Sequence, residues 1–296
     1  MTQATEPKNA WAKAAESNPV LHFADVCLRG AGQVMFQNSA WTGLFFLLGI
    51  FWGAYAARMP AVAWGAVVGV IVGTASAYML RAPRADINIG LHGYNGILVG
   101  CALPSFFDPT LVMWVLVAAG AFFSTVIMMA VSRFMKTWKV SAMTGPFVFT
   151  TWFIMLAAYN FAHFKIAGLP HPVMPAQPGM AEVTALGVGG FWTATFTGVS
   201  QVFLINNVIT GILFLIGLAG SAIPAAVFAW CGSVAAIGTA MFLGADTRDI
   251  VDGLFQFSAV LTAIGLGTTV YKPKSGRVVL YALLGTIFTV VAQGAL

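Results

Sequence analysis

The stretch GQVMFQN at residues 32–38 returns, altered but readable, as SQVFLIN at residues 200–206. Gln-Val-x-x-x-Asn is thus written twice, each time just before a long apolar run. The first copy closes the segment LHFADVCLRGAGQVMFQN, too short and too broken by Gly30 and Gly32 to cross a membrane, which reads as a half-helix ending near Gln33. Its mate, GGFWTATFTGVSQVFLINN, carries Gly198 in the register of Gly30. A helix that stops inside a bilayer leaves up to four backbone carbonyls unpaired. Each costs several kcal/mol unless something donates to it, and a solute rich in N–H donors would offset that cost. Gln33 and Gln201 would each add a side-chain carbonyl, and Phe36, three residues after Gln33, could lay a flat apolar wall beside the donors. Polar side chains in membranes also bond neighbouring helices; repetition in both halves favours the solute reading. A third feature is SAMTGPFVFTTW. Pro146 suits a first helical turn and the Thr144 hydroxyl suits an N-cap, and a helix starting inside the membrane would let that hydroxyl accept from a passing donor.

The elements that must hold these residues belong in a bilayer. Of 296 residues, 59% are hydrophobic and 8% charged, against about 25% charged in soluble domains. A hydrocarbon core of about 30 Å needs about 20 apolar residues per helix. The clearest runs are 40–57, 61–80, 111–131, 147–162, 208–222, 225–244 and 278–295, and two more, 87–103 and 250–270, are dotted with Gly, Asn, Ser and Thr. Residues 1–18 read as a polar cytoplasmic tail without the order of a cleavable signal. With the N-terminus inside, eleven basic residues fall on that side (Lys8, Lys13, Arg29, Arg81, Arg84, Arg133, Lys136, Lys139, Lys272, Lys274 and Arg277), against Arg58, Lys165 and Arg248 on the other. This is the positive-inside asymmetry, so the net charge of +5 reflects topology and not nucleic-acid binding. A multi-pass protein of the cell (inner) membrane is expected.

Residues 33–49 and 201–217 share Gln, Val, Asn, Thr, Gly, Phe, Leu and Gly, and DINIGLHGYNGILVGCAL from Asp86 aligns with DIVDGLFQFSAVLTAIGL from Asp249. The offset drifts only from 168 to 163 residues, which points to an internal duplication. Five crossings before the Pro-rich loop at 168–180 put the second copy on the opposite face, so it runs inverted, with its half-helix end facing the first across a pseudo-two-fold axis. The expected fold is an all-α integral membrane protein, an inverted repeat of two helical halves, each with a re-entrant half-helix, making about nine crossings. The expected organisation is 1–18 tail, 19–165 first repeat, 166–185 connecting loop and 186–296 second repeat.

The spans hold no Lys, Arg, Asp or Glu near their middles, where ion-coupled carriers and proton relays usually place charge; His92 alone stands inside a polar-dotted span. An uncharged pathway suits an uncharged solute. Cys27, Cys101 and Cys231 lack metal-ligand spacing and read as small buried hydrophobes. No metal and no cofactor is expected. No nucleophile-base pair supports a membrane enzyme. Paired pore histidines for an ammonium channel and the Asn-Pro-Ala turns of an aquaporin do not occur.

At LRGAGQVMFQN, GVSQVFLINNVITGILFLIGL, GLHGYNGILVG with its relative GLFQFSAVLTAIGLG, and TGPFVFTTW, the chain resembles the urea transporter family, over nearly its whole length from about Asn18. The resemblance implies a homotrimer in which every subunit carries its own pore, a slot with outer, middle and inner sites. Carried over, Gln33, Val34 and Phe36 with Tyr94 and Leu98 form one set. Gln201, Val202 and Leu204 with Phe257 and Leu261 form the symmetric one, and Thr144 falls on the middle-site threonine. Tyr94 and Leu204 stand where Phe is expected, and Gln201 where some members have glutamate. The run LYALLGTIFTVVAQGAL matches the first half's fourth crossing, so the second middle-site threonine and a tenth crossing are expected to be missing. Either the polypeptide is truncated or the pore is completed differently.

Urea fits these parts. It is planar and neutral, with four N–H donors and one carbonyl, so a slot between apolar faces orients it while a row of oxygens replaces its water. Each net hydrogen bond offsets about 1 kcal/mol. Ions find no compensating charge, and weak sites in series allow exit. Passive urea conduction in a lipid bilayer is the expected function; the alternatives are an ion-coupled secondary carrier and an ammonium or small-amide channel.

Overall fold

The computed structural model describes residues 10–167, 181–273 and 275–295. Residues 168–180 of the expected connecting loop, the first nine residues of the expected tail, Lys274 and Leu296 lie outside the described residues. Among the described residues the regular elements are all helical. Contacts divide the chain into two compact units, Met1–Leu47 with Ala54–Leu169, and Leu48–Gly53 with Pro170–Leu296.

The first unit opens with α1 (Ala10–Ser17), so part of the expected polar tail is helix. It continues through α2 (Pro19–Gln33), the ends of α3 (Ala40–Ala56), α4 (Pro60–Met79), α5 (Arg84–Asn88), α6 (Gly93–Phe106), α7 (Leu111–Met135) and α8 (Gly145–Ala158). Proline occupies the first turn of α2, α4 and α8, where its missing N–H has no intrahelical partner to lose. The core gathers Val99 and Leu103 of α6, Met113 and Val117 of α7 and Ile154 of α8. α4 and α6 meet backbone to backbone. A Cβ on Gly69 would strike the Gly96 carbonyl, and one on Gly100 the carbonyl of Gly65, the close approach that small residues permit between membrane helices.

The second unit repeats the order with α9 (Val188–Ser200) and a 3₁₀ turn Gln201–Phe203, then α10 (Val208–Ser221), α11 (Ile223–Leu243) and α12 (Thr247–Val251). After these come α13 (Phe257–Ile264), a π-helical stretch Gly265–Val270, and α14 (Gly276–Gln293). Its core is small-residue packing, with Ala194, Ala236, Ala240, Ile250, Ala259 and Val290 fully or almost fully buried. Where the first unit has glycine on glycine, here the Ala263 methyl lies against Gly232 and the Phe228 ring covers Gly267.

Among the described residues, four helices are long and apolar enough to cross a membrane: Pro60–Met79, Leu111–Trp138, Ile223–Leu243 and Gly276–Gln293. A fifth follows if Val188–Phe203 and Val208–Ser221, bent by 73° at their break, count as one span. Ala40–Ala56 and Gly145–Ala158 are apolar but, at about 1.5 Å per residue, shorter than a 30 Å core. The two polar-dotted runs are broken, at Gly90 (φ +78°) and Gly253 (φ +81°), where glycine takes a left-handed turn without steric cost. Many large apolar side chains face outward, Phe153 (77% exposed) and Phe242 (89%) among them. Such an exterior is matched by lipid, not water.

Candidate solute site at two helix ends

Asn18 starts α2 by accepting from the Val20 and Leu21 N–H groups at 2.8 and 3.4 Å, a side-chain N-cap. The helix ends in a Schellman turn. The Gln37 N–H donates to the Gly32 carbonyl and the Phe36 N–H to the Gln33 carbonyl, both at 3.0 Å, with Phe36 left-handed at φ +62°. Val34 N–H also reaches the Ala31 carbonyl at 3.3 Å. The expectation of up to four unpaired carbonyls at this end therefore needs correction: the turn itself donates to Ala31, Gly32 and Gln33, because a chain reversing within the helix's own footprint brings its N–H groups back over the last turn. A left-handed phenylalanine costs about 1–2 kcal/mol, so the surrounding packing over-determines this turn. In the second unit Leu204 is left-handed at φ +59°, and its N–H donates to the Gln201 carbonyl at 2.9 Å.

The two glutamines make the same bond. Gln33 Nε2 donates to the Ile89 carbonyl and Gln201 Nε2 to the Asp252 carbonyl, each at 2.8 Å. Both acceptors stand in the turn that breaks a polar-dotted run, one residue before Gly90 and Gly253. Because a carbonyl only accepts, the NH₂ end of each amide must face it and the Oε1 end is the one left over. The reading of these glutamines as helix-to-helix ties and the reading of them as acceptors thus describe opposite ends of one side chain. Gln33 is buried and Gln201 half-buried.

The motif asparagines tie down the exit turns. Asn38 accepts from Arg29 Nη1 through its carbonyl at 3.1 Å and its Oδ1 at 2.9 Å; Asn206 Nδ2 donates to Asp252 Oδ1 at 2.7 Å. Arg29 is itself paired with Asp25 at 2.6 Å, one turn back on α2, and Asp25 also accepts from Trp11 Nε1 of α1 at 2.7 Å. This ion pair within the half-helix is written in the sequence in plain i, i+4 spacing, outside the middles of the full spans.

Tyr94 and Leu98 lie one turn apart on α6, both buried, while Phe257 and Leu261 repeat that spacing on α13, half-buried. Val34 and Val202 are buried behind the helix ends. Thr144 occupies the N-cap position of α8, but its side chain makes no capping bond. Asn95 supplies the cap from α6 instead, its Oδ1 accepting from the Phe147 N–H at 3.0 Å. The structure thus links Gln33, Tyr94 and Thr144 within the first unit through α6 and the turn before it. Gln201, Val202, Leu204, Phe257 and Leu261 gather in the second.

Outside this set, α9, α10 and α11 enclose a groove of about 580 Å³ lined by Phe196, Ile212, Ile216, Val227 and Trp230 among others. It contains none of the candidate residues and offers a donor-rich solute nothing to bond. Near the start of α12, Asp246 accepts from the Arg248 and Glu182 N–H groups at 2.8 and 3.1 Å, which holds its carboxyl below the usual range. No group of His, Cys, Asp and Glu able to hold a metal ion occurs among the described residues.

A family model described as urea transporter matches residues 24–296. The chain belongs to the urea transporter family. Urea transporter 1 of Rattus norvegicus is 29% identical over 275 residues, covering 91% of this chain and 69% of the rat protein. Urea transporter 1 of Mus musculus matches to the same extent, and that of Ovis aries is 26% identical over 279 residues, with the same two coverages. Membership in the urea transporter family makes this chain a transporter and not an enzyme, and with its apolar helices a multi-pass membrane protein.

Proposed function

We propose that the chain is a passive urea channel of the cell (inner) membrane. The observation that carries the reading is the recurrence of one local geometry at the two helix ends, a glutamine amide anchored by its NH₂ end and, three residues on, a left-handed apolar residue. Each anchored amide presents an acceptor at a fixed place beside an apolar side chain, the pairing that a flat N–H donor needs. In this reading Gln33, Val34, Phe36, Tyr94 and Leu98 from one half, and Gln201, Val202, Leu204, Phe257 and Leu261 from the other, line the urea path, with Thr144 as a further acceptor. The two halves run in opposite senses through the bilayer, in about nine crossings, and the chain assembles as a homotrimer.

Partial dehydration of urea is the barrier. Oxygens offset it at about 1 kcal/mol per net hydrogen bond, too little to trap the solute and enough, in series, to pass it. An ion would lose far more hydration than neutral acceptors restore.

Stopped-flow urea uptake into proteoliposomes tests this, comparing the wild type with Gln33→Ala and Thr144→Val. Both substitutions are expected to lower urea permeability, and unaltered permeability in both removes the pathway. Flux that follows an imposed proton or sodium gradient, and not the urea gradient alone, would instead mark an ion-coupled carrier.

A further inference from the structure

The N-terminal turn of a helix has N–H groups with no partner inside the helix, and a threonine at the N-cap ordinarily turns its hydroxyl onto one of them. Thr144 is placed to do this and does not. Its competitor is Asn95, fully buried on α6, whose Oδ1 already accepts from Phe147 N–H, the third helical residue. The same amide's Nδ2 lies 3.5 Å from the Met143 carbonyl and 3.7 Å from Met128 Sδ. Since Phe147 N–H can only donate, this orientation of the amide is the one that satisfies both ends. Tyr94, the preceding residue, donates its hydroxyl to the same Met143 carbonyl and is also within reach of Met128 Sδ at 3.5 Å. Met143 is left-handed at φ +46°, a conformation a methionine keeps only where its surroundings hold it. Tyr94 and Asn95 therefore grip Thr144 from both sides, by the carbonyl before it and the N–H three residues after it. Among the described residues the Thr144 hydroxyl itself has no hydrogen-bond partner.

We propose that Tyr94 and Asn95 are positioning residues for Thr144: by capping α8 from the neighbouring helix and holding the Met143 carbonyl, they release the threonine hydroxyl to accept from the solute. The proposal rests on the urea-channel reading and assigns to Tyr94 a task distinct from forming an apolar wall. Among the described residues the device occurs in the first half. At the corresponding places of the second half, Phe257 has no hydroxyl and Ser258 bonds Gln293 Oε1 at 3.3 Å.

Urea permeability in proteoliposomes decides it, measured for Thr144→Val, Tyr94→Phe, Asn95→Leu and the doubles Tyr94→Phe/Thr144→Val and Asn95→Leu/Thr144→Val. Each protein's thermal melting and monodispersity are followed in parallel. Thr144→Val is expected to lower permeability about tenfold and Tyr94→Phe about threefold. Asn95→Leu should approach the threonine variant, and neither double should fall below Thr144→Val alone, because a positioning residue has nothing left to position. A merely structural role predicts losses that multiply. Tyr94→Phe keeps the ring and its packing, so it reads the effect even if Asn95→Leu does not fold. Multiplying losses, or wild-type flux in Tyr94→Phe, overturns the proposal while leaving the channel reading intact. Wild-type flux in Thr144→Val overturns this proposal, and the pathway falls with it only if Gln33→Ala is unaltered as well.

Discussion

The two units use one plan with different materials. In the first, α6 lies against α4 through facing glycines, and its Tyr94 and Asn95 reach across to the start of α8. In the second, α13 meets α11 through an alanine methyl, continues as a π-helix whose Gly267 lies under a phenylalanine ring of α11, and carries Phe257 and Ser258 where the first has the gripping pair. What both retain is the anchored glutamine, the left-handed residue after it and the glycine turn it holds. The difference teaches which parts of the plan are shared and which answer to local packing: the shared hydrogen bonds lie at the helix ends and the turns they bond, and a shared close approach sets Gly43 on the Leu28 carbonyl and Gly211 on the Phe196 carbonyl.

The sharpest way to break the comparison is packing. Gly100→Leu drives a side chain into the Gly65 carbonyl, a backbone atom that cannot step aside; no folded, monodisperse protein is expected on size-exclusion chromatography. Ala263→Leu, its counterpart, meets Gly232 across a gap already holding a methyl. It should survive with a loss of about 1–3 kcal/mol, the range for overpacking, seen as a lowered melting temperature.

Next come the anchored amides. Gln33→Ala takes a buried amide from the half-buried Ile89 carbonyl and removes an acceptor from the proposed path. A destabilisation of about 1–3 kcal/mol is expected, together with a roughly five- to tenfold fall in urea permeability. Gln201→Ala should lower flux comparably but cost less stability, since water can replace the amide beside a half-buried residue. Equal melting temperatures for the two variants would show that burial does not distinguish the halves. The asparagines give a smaller contrast. Asn38→Ala removes an acceptor from the Arg29 guanidinium and should destabilise by about 1 kcal/mol. Asn206→Ala loses a bond from an exposed side chain and should change melting little.

The smallest effect is on pH. Asp246 caps α12 where the first half begins α5 from Pro83. Its folded carboxyl sits below the ordinary value, so its contribution is complete above about pH 4 and lost as pH falls through the folded value. Melting of Asp246→Ala should fall slightly short of wild type at neutral pH and converge with it in acid. No such convergence is expected for a substitution at Pro83.

Much of this was legible in the sequence because the matching segments keep a nearly constant offset. The offset of 168 residues relates Gln33 to Gln201 and Phe36 to Leu204. The offset of 163 relates Ile89 to Asp252 and Gly90 to Gly253, so the bonds between half-helix and broken run recur where the alignment places them. The left-handed turns at Phe36 and Leu204 were not legible, since neither residue favours that conformation and only the surrounding bonds impose it. Thr144 was read correctly as a cap position and wrongly as the capping group. The residue that caps, Asn95, lies 52 positions from the N–H it serves, a distance no local pattern spans. The carbonyls at the helix end were overcounted because a helix that reverses tightly spends them on its own turn.

The one-sided anchoring of Gln33 also limits what can stand there. Glutamate differs from glutamine by a single nucleobase and hardly at all in shape, yet ionised it would set lone pairs against the lone pairs of the Ile89 oxygen. Only a protonated carboxyl could repeat the donation that closes the turn. Mutational drift at this codon therefore meets an electrostatic barrier even though the volume is conserved.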